Sequence, residues 1–307
     1  MRHLLGIEEI TLEDMNQIIE TAKSMKFVLE RKIKKVPTLR GVTVANLFFE
    51  PSTRTLNSFL IAERRLSADT VNISKSFSSV EKGETLLDTV KNIEAMKVDI
   101  VVIRHSVPYS PHYLSERINA SVINAGDGSH EHPTQALLDV LSMIEKFGDL
   151  RGLNVSIIGD ILHSRVARSL ILSLKKMGVK ITLCGPSTLL PEYFQNYGVD
   201  ITYNLKEGIV DKDIVYVLRI QKERQDGCFI PSLNEYIKYY SVTKDILKKY
   251  AKKDVVIMHP GPVNRGVELA PDVADGPWSL ILQQVTNGVA VRMAIIYLLS
   301  GIPRSEE

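Results

Sequence analysis

Two cysteines in 307 residues, Cys184 and Cys228, are too few for a disulfide framework and too far apart for metal-ligand spacing. Both are expected as reduced thiols of a cytoplasmic protein. An excess of charge of one sign is missing too: 38 Lys and Arg stand against 36 Asp and Glu, a net charge of +2. A nonspecific nucleic-acid binder uses a basic excess, so no nucleic-acid partner is expected. No apolar run approaches the ~20 residues needed to span a bilayer, and Met1-Arg2-His3-Leu4-Leu5-Gly6 turns polar without a signal-peptide core. A membrane partner is therefore not expected either. The chain also lacks a Walker-type G-x-x-x-x-G-K-[ST] loop and an H-E-x-x-H pair.

What it has is an ordinary globular interior, with 44% hydrophobic and 24% charged residues, and enough length for two domains. Short β-branched runs alternate with longer helical patterns. A helix start at Thr11-Leu12-Glu13-Asp14 precedes Ile18, Ala22, Met25 and Leu29 at helical spacing. Strands are predicted at 42–49, 70–73, 100–103 and 122–125, with helices at 55–66 and 85–96. Their runs are almost continuously apolar, as in parallel strands covered on both faces. Pro133 suits the first turn of a long helix over 133–147. Beyond it the alternation restarts, with strands at 155–158, 181–184, 201–203, 214–218 and 255–258, and a final apolar helix over 283–299. The basic stretch 244–253 reads as a solvated helix face. The predicted fold is α/β. Two domains, each a parallel sheet flanked by helices, are linked by a long bridging helix and a returning C-terminal helix. The expected boundaries are 1–133 plus 283–307 for one domain and 134–282 for the other.

The richest segment is Phe48-Phe49-Glu50-Pro51-Ser52-Thr53-Arg54-Thr55, which runs from a buried strand into a helix. Open α/β sheets gather ligands at such strand ends, and a helix N-terminus offers unpaired N–H groups to an anion. Ser52, Thr53 and Thr55 add hydroxyls, and Arg54 adds a forked positive charge. The competing reading is a plain Ser/Thr helix cap beside an incidental arginine.

Phe49–Thr55 resembles the carbamoyl-phosphate motif of the aspartate/ornithine carbamoyltransferase family. Collinear segments resemble the same family: Lys82-Gly83-Glu84-Thr85, Ile103-Arg104-His105, His132-Pro133-Thr134-Gln135-Ala136-Leu137-Leu138-Asp139 and Met258-His259-Pro260-Gly261-Pro262. The resemblance extends from about residue 45 to 295 and implies transfer of a carbamoyl group to an amino acid. It implies that Ser52, Thr53, Arg54 and Thr55 hold the phosphate, with Ser78 of a loop spanning 74–83. Thr55, Arg104 and His132 are implied at the carbonyl oxygen, and Gln135 with the backbone at Gly261 and Pro262 at the carbamoyl NH2. The catalytic group is thus Arg54, Thr55, Lys82, Arg104, His132 and Gln135. No metal or other cofactor is implied. The family places the loop serine and Lys82 in a neighbouring subunit's site, implying a homotrimer with shared sites. Ser79 competes with Ser78 for that role, and a regulatory chain or dihydroorotase partner is left open.

Charge logic addresses the acceptor. L-aspartate presents two carboxylates, whereas ornithine presents one and a distant ammonium. Arg165 stands at a helix start just after a strand, and Arg219 at another strand end with Gln221 two residues on, an arrangement suited to two carboxylates. These stretches resemble the aspartate-binding segments of the family's aspartate-accepting members, with Lys82 as a further contact; Arg224 reads as a surface ion pair with Glu223. The expected reaction makes N-carbamoyl-L-aspartate and phosphate for pyrimidine synthesis. The alternatives are an ornithine or other amino-acid carbamoyltransferase, a metal-dependent hydrolase using Asp127, His130, Glu131 and His132, and a nucleotide binder around Gly159.

Overall fold

The structure is a computed structural model and describes residues 1–74, 84–221 and 229–301. Helix α1 (Leu12–Glu30) opens on a reciprocal capping box: Thr11 Oγ1 accepts the Asp14 N–H at 3.0 Å, and the Asp14 carboxylate accepts the Thr11 N–H at 2.9 Å. Then β1 (Thr43–Phe48), α2 (Thr53–Leu66), β2 (Asp69–Ser74), α3 (Leu86–Ala95), β3 (Ile100–His105), α4 (Ser110–Ser115) and β4 (Ser121–Asp127) follow in alternation. The apolar runs become strands because both sheet faces are covered: all of β1 after Thr43 is buried, as are Ile100–Ile103. The four strands are parallel in the order β2-β1-β3-β4. Ala45, Leu47, Val101, Ile103 and Val122 pack with Val90 and Ile93 of α3 in the core.

Helix α5 (Pro133–Phe147) carries the chain from the first of two compact units into the second. One unit comprises Met1–Leu138 and the stretch beginning at Thr286; the other is Asp139–Val285. The second holds β5 (Asn154–Ile158), α6 (Arg165–Lys176), β6 (Lys180–Cys184), a 3-10 turn at Glu192–Tyr197 and β7 (Asp200–Thr202). It continues through α7 (Leu205–Ile209), β8 (Ile214–Val217), α8 (Leu233–Tyr240), α9 (Lys244–Tyr250), β9 (Val256–Met258) and α10 (Pro271–Ala274). Its sheet is also parallel, in the order β7-β6-β5-β8-β9. In α9 only Leu247 is buried, so the basic stretch lies on a solvated helix.

The last helix, α11 (Ile281–Leu299), returns to the first unit from Thr286 onward. There Arg292 donates to Ser58 Oγ at 2.9 Å and lies over the Phe59 ring, and Ser121 Oγ donates to the Leu299 carbonyl at 3.0 Å. By length and composition this helix is apolar enough to cross a membrane, which corrects the expectation that no segment comes near. More than half of it is buried inside the protein, which accounts for its apolarity.

Candidate active site

In both sheets the strand order reverses beside the first strand of the unit. Side chains cannot be covered by crossing connections at such a switch point, and a crevice forms outside the carboxyl ends of the strands. In the first unit the switch lies between β1 and β3, and in the second between β5 and β8. The described residues singled out from the sequence for the site stand at a strand's carboxyl end or in the segment that follows it.

The segment after β1 enters α2 through Ser52. This serine occupies the N-cap position with φ −161°, yet its hydroxyl makes no capping bond, so the simple cap reading fails. Its carbonyl starts the helix by accepting the Leu56 N–H at 3.1 Å. The first-turn N–H groups of α2 have no intrahelical acceptor, and the dipole there is positive. Thr53 and Arg54 are exposed, Ser52 is half-buried and Thr55 is buried. Next to this turn, Arg104, the penultimate residue of β3, lies opposite Phe48, and the Phe49 N–H donates to the Arg104 carbonyl at 2.9 Å. The Arg104 guanidinium donates to Glu50 at 2.8 Å and to the Ala125 carbonyl at 3.2 Å. Glu50 of the first motif thus orients the arginine of another, with both side chains largely withdrawn from water.

His132, in the turn between β4 and α5, and Gln135, in the first turn of α5, follow the carboxyl end of β4, and both are buried. The turn is built by carboxylates. Asp127 Oδ1 accepts from Asn124 at 2.9 Å and from the Glu131 N–H at 3.0 Å, while Glu131 accepts the Ile7 N–H at 2.8 Å. Burial alone would lift the Asp127 carboxyl; hydrogen bonds from His130 and Asn124, the His130 charge and the Glu131 N–H instead hold it below its usual value. His132 then precedes Pro133, and its carbonyl accepts the Gln135 N–H at 3.0 Å.

In the second unit Gly159 follows β5 at φ +130°, and a Cβ there would lie 2.5 Å from the Leu218 carbonyl oxygen. Only glycine lets the two loops at this switch point approach so closely. Asp160, fully buried, bridges them: one oxygen accepts from the His163 ring at 2.8 Å and the other from the Gln221 N–H at 3.1 Å. Arg165 begins α6 behind the Ser164 cap and is 2% exposed, while Arg219 donates to Gln221 Oε1 at 3.3 Å. Arg219 and Gln221 thus stand on the loop that Asp160 braces, and Arg165 begins the helix after the turn that holds Asp160; guanidinium and amide groups of this kind suit carboxylates.

Gly261 and Pro262 lie in this unit, in the loop after β9. Gly261 has φ +65° and donates its N–H to His259 Nδ1 at 2.8 Å. His259 Nε2 faces buried Glu268 at 3.2 Å, and the His259 N–H donates to Gln284 at 3.0 Å. Gln284 donates in turn to Asp139, which also accepts from Tyr216 Oη at 2.6 Å. Sequence reasoning missed these supports: Asp160 and Gln284 act on partners far along the chain, and Glu268, nine residues from His259, belongs to no motif. Ser78, Ser79 and Lys82, and the Glu223/Arg224 pair, lie outside the described residues.

Comparisons with known proteins also split the chain into two parts. Residues 2–145 match the family model described as aspartate/ornithine carbamoyltransferase, carbamoyl-P binding domain, and residues 151–299 match the Asp/Orn binding domain of the same family. The aspartate carbamoyltransferase catalytic subunit of Syntrophotalea carbinolica is 57% identical over 306 residues, covering 100% of this chain and 97% of that relative. The crystal structure of aspartate transcarbamoylase from Trypanosoma cruzi with carbamoyl phosphate and aspartate is similar at a TM-score of 0.86 and 29% identity, covering 96% of each chain. An ornithine carbamoyltransferase from Pyrococcus furiosus also matches at TM-score 0.86, with 28% identity and 98% of each chain covered. The backbone alone therefore does not distinguish the two acceptors.

Proposed function

This chain belongs to the aspartate/ornithine carbamoyltransferase family, and from that premise we propose how its two sheet edges divide the work of the reaction. The protein is a carbamoyl-group transferase of pyrimidine biosynthesis, passing the carbamoyl group of carbamoyl phosphate to the amino group of L-aspartate. The products are N-carbamoyl-L-aspartate and phosphate. The observation that carries the assignment of residues is the gathering of cationic and hydroxyl groups at the switch point of each parallel sheet.

In this reading residues 1–133 with 283–307 bind the donor, and 134–282 bind the acceptor. The α2 turn takes the phosphate: Ser52, Thr53 and Thr55 offer hydroxyls, Arg54 a bidentate charge, and the first-turn N–H groups the dipole. Ser78 adds to it from the 74–83 segment. Thr55, Arg104 and His132 surround the carbamoyl oxygen. As the neutral amine attacks the carbonyl carbon, a C–N bond forms and that oxygen gathers negative charge; the C–O bond to phosphate then breaks. Donors already fixed toward an oxyanion are worth about 3–4 kcal/mol each in transition-state stabilisation. Gln135 and the Gly261 and Pro262 backbone hold the carbamoyl NH2. Arg165, Arg219, Gln221 and Lys82 bind the two aspartate carboxylates, so orientation supplies a second large contribution. We also place the enzyme in the cytoplasm and read its catalytic unit as a homotrimer, with Ser78 and Lys82 completing a neighbour's site.

The direct test supplies carbamoyl phosphate with either amino acid to chelator-treated protein and measures carbamoylated product. Carbamoyl-aspartate should form, and Arg219→Met should raise KM for aspartate far more than for carbamoyl phosphate. Faster turnover of ornithine would transfer the assignment to the sister reaction, and activity lost on chelation and restored by zinc would favour the hydrolase alternative.

A further inference from the structure

Among the described residues, one group of histidine and carboxylate side chains lies together outside the residues assigned to carbamoyl transfer. His112 of α4, Asp127 at the end of β4 and His130 in the following turn each bring a ligand atom within 4.8 Å of the others. Glu9, preceding α1, places a carboxylate oxygen 2.7 Å from His112 Nε2. We propose that His112, Asp127 and His130, assisted by Glu9, form a binding site for one divalent transition-metal ion of the zinc class.

The donor set suits that class. Two imidazoles and carboxylate oxygen select zinc-like ions over magnesium or calcium, which prefer oxygen alone. Zinc bonds of ~2.0–2.1 Å in tetrahedral array put ligand atoms roughly 3.3 Å apart, so the group needs to close by ~1.5 Å at most. Both imidazoles have room for that movement, being 22% and 13% exposed, whereas Asp127 is fully buried and fixed. Its Oδ2 accepts from the Tyr109 N–H at 2.7 Å and faces His130 Nδ1 at 3.0 Å.

Two further features fit a metal site. The Tyr109 ring stands 3.9 Å from the His130 ring and 5.1 Å from that of His112, so one aromatic face orients both imidazoles. His112 Nδ1 is buried without a hydrogen-bond partner while Nε2 is engaged by Glu9. A metal bond is one way to satisfy such a nitrogen, and imidazole ligands with their second nitrogen on a carboxylate are a standard outer-shell arrangement. The family resemblance implied no metal, and His130 and His132 alone lack the helical i, i+4 spacing of a zinc-binding pair. The fold instead pairs His130 with His112, eighteen residues earlier. An ion here would tie the N-terminal segment, α4 and the turn before His132 together, as a structural clip rather than a participant in carbamoyl transfer.

The test uses the untagged full chain, stripped with chelator and dialysed against micromolar Zn2+, with bound metal measured by mass spectrometry. About one ion per chain is expected, with a raised melting temperature; Co2+ in its place should give visible d–d absorption. His112→Ala and His130→Ala should each weaken binding at least tenfold. Glu9→Gln, on an exposed side chain, provides a milder variant and should weaken binding several-fold. Less than about 0.2 ion per wild-type chain, or unchanged binding in folded His112→Ala and His130→Ala proteins, would overturn the site.

Discussion

Arg54 and Glu63 lie nine residues apart, on or beside the same helix, and face opposite physical demands. Arg54 is exposed at the first turn of α2 and contributes nothing to the apolar core. Replacing it with alanine should therefore lower kcat by roughly 10²–10³-fold, as for loss of a fixed donor to a developing charge, while the melting temperature stays close to wild type. Steady-state kinetics alongside a thermal scan would check both halves; near-normal turnover would remove Arg54 from the site. Glu63 is fully buried, and both carboxylate oxygens lie 3.0 Å from Asn46 Nδ2. Burial pushes its pKa up to about 7, against smaller lowering by Asn46 and Arg64. Because the folded value is raised, its stabilising contribution is complete below about pH 4.5 and is lost as pH rises through about 7. Glu63→Gln imitates the protonated form and can also donate to Asn46 Oδ1, a buried atom otherwise without a partner. Denaturation midpoints measured from pH 5 to pH 9 should show the variant gaining on wild type by roughly 3 kcal/mol at the alkaline end. A constant difference across that range would reject the titration of Glu63.

At the scale of elements, what was legible follows from which contacts are local. Strand existence depends on short apolar runs between turn signals, so all nine strands among the described residues fall where those runs do; their ends shift by a residue or two. Helix α4 was missed because Ser110–Ser115 is too short to show periodicity and starts from Tyr109 in the left-handed region at φ +61°. The described motif residues were readable because each sits at its strand's end or in the short segment that follows it. Their braces were not: Asp160 and the Gln221 N–H are 61 residues apart, and Gln284 and Asp139 are 145 apart. No local pattern couples such pairs. Gly159 tests the brace at β5/β8. An alanine would strain φ +130° and meet the Leu218 carbonyl, so the two loops must separate and the Asp160–Gln221 bond must lengthen or break. Gly159→Ala should therefore raise KM for aspartate by at least tenfold with little change in the KM for carbamoyl phosphate. Equal losses for both substrates would mean that the substitution damages more than the second unit's crevice.

At the scale of the whole molecule, the central proposal is that a single chain does not complete its own site. In that reading the groups around the α2 turn bring hydroxyls, N–H groups and arginines to the donor, while the family resemblance takes Lys82 from a neighbouring subunit. That division predicts complementation. Arg54→Ala removes a group from the site built by its own chain, and Lys82→Ala removes one that its chain lends elsewhere. Each homotrimer should be nearly inactive, because every site lacks one group. In mixed trimers, some sites combine an Arg54-bearing chain with a neighbour that still carries Lys82, and those sites are intact. Random exchange between equal amounts should restore roughly a quarter of wild-type activity, since each of the two contributing chains has an even chance of being the intact one. Subunit exchange must be verified independently, by native mass spectrometry of differently labelled chains. With exchange complete, recovery confined to mixed species supports the shared site. Complete exchange without recovered turnover requires Lys82 and Arg54 to serve the same chain's site, and the trimer then loses its catalytic rationale.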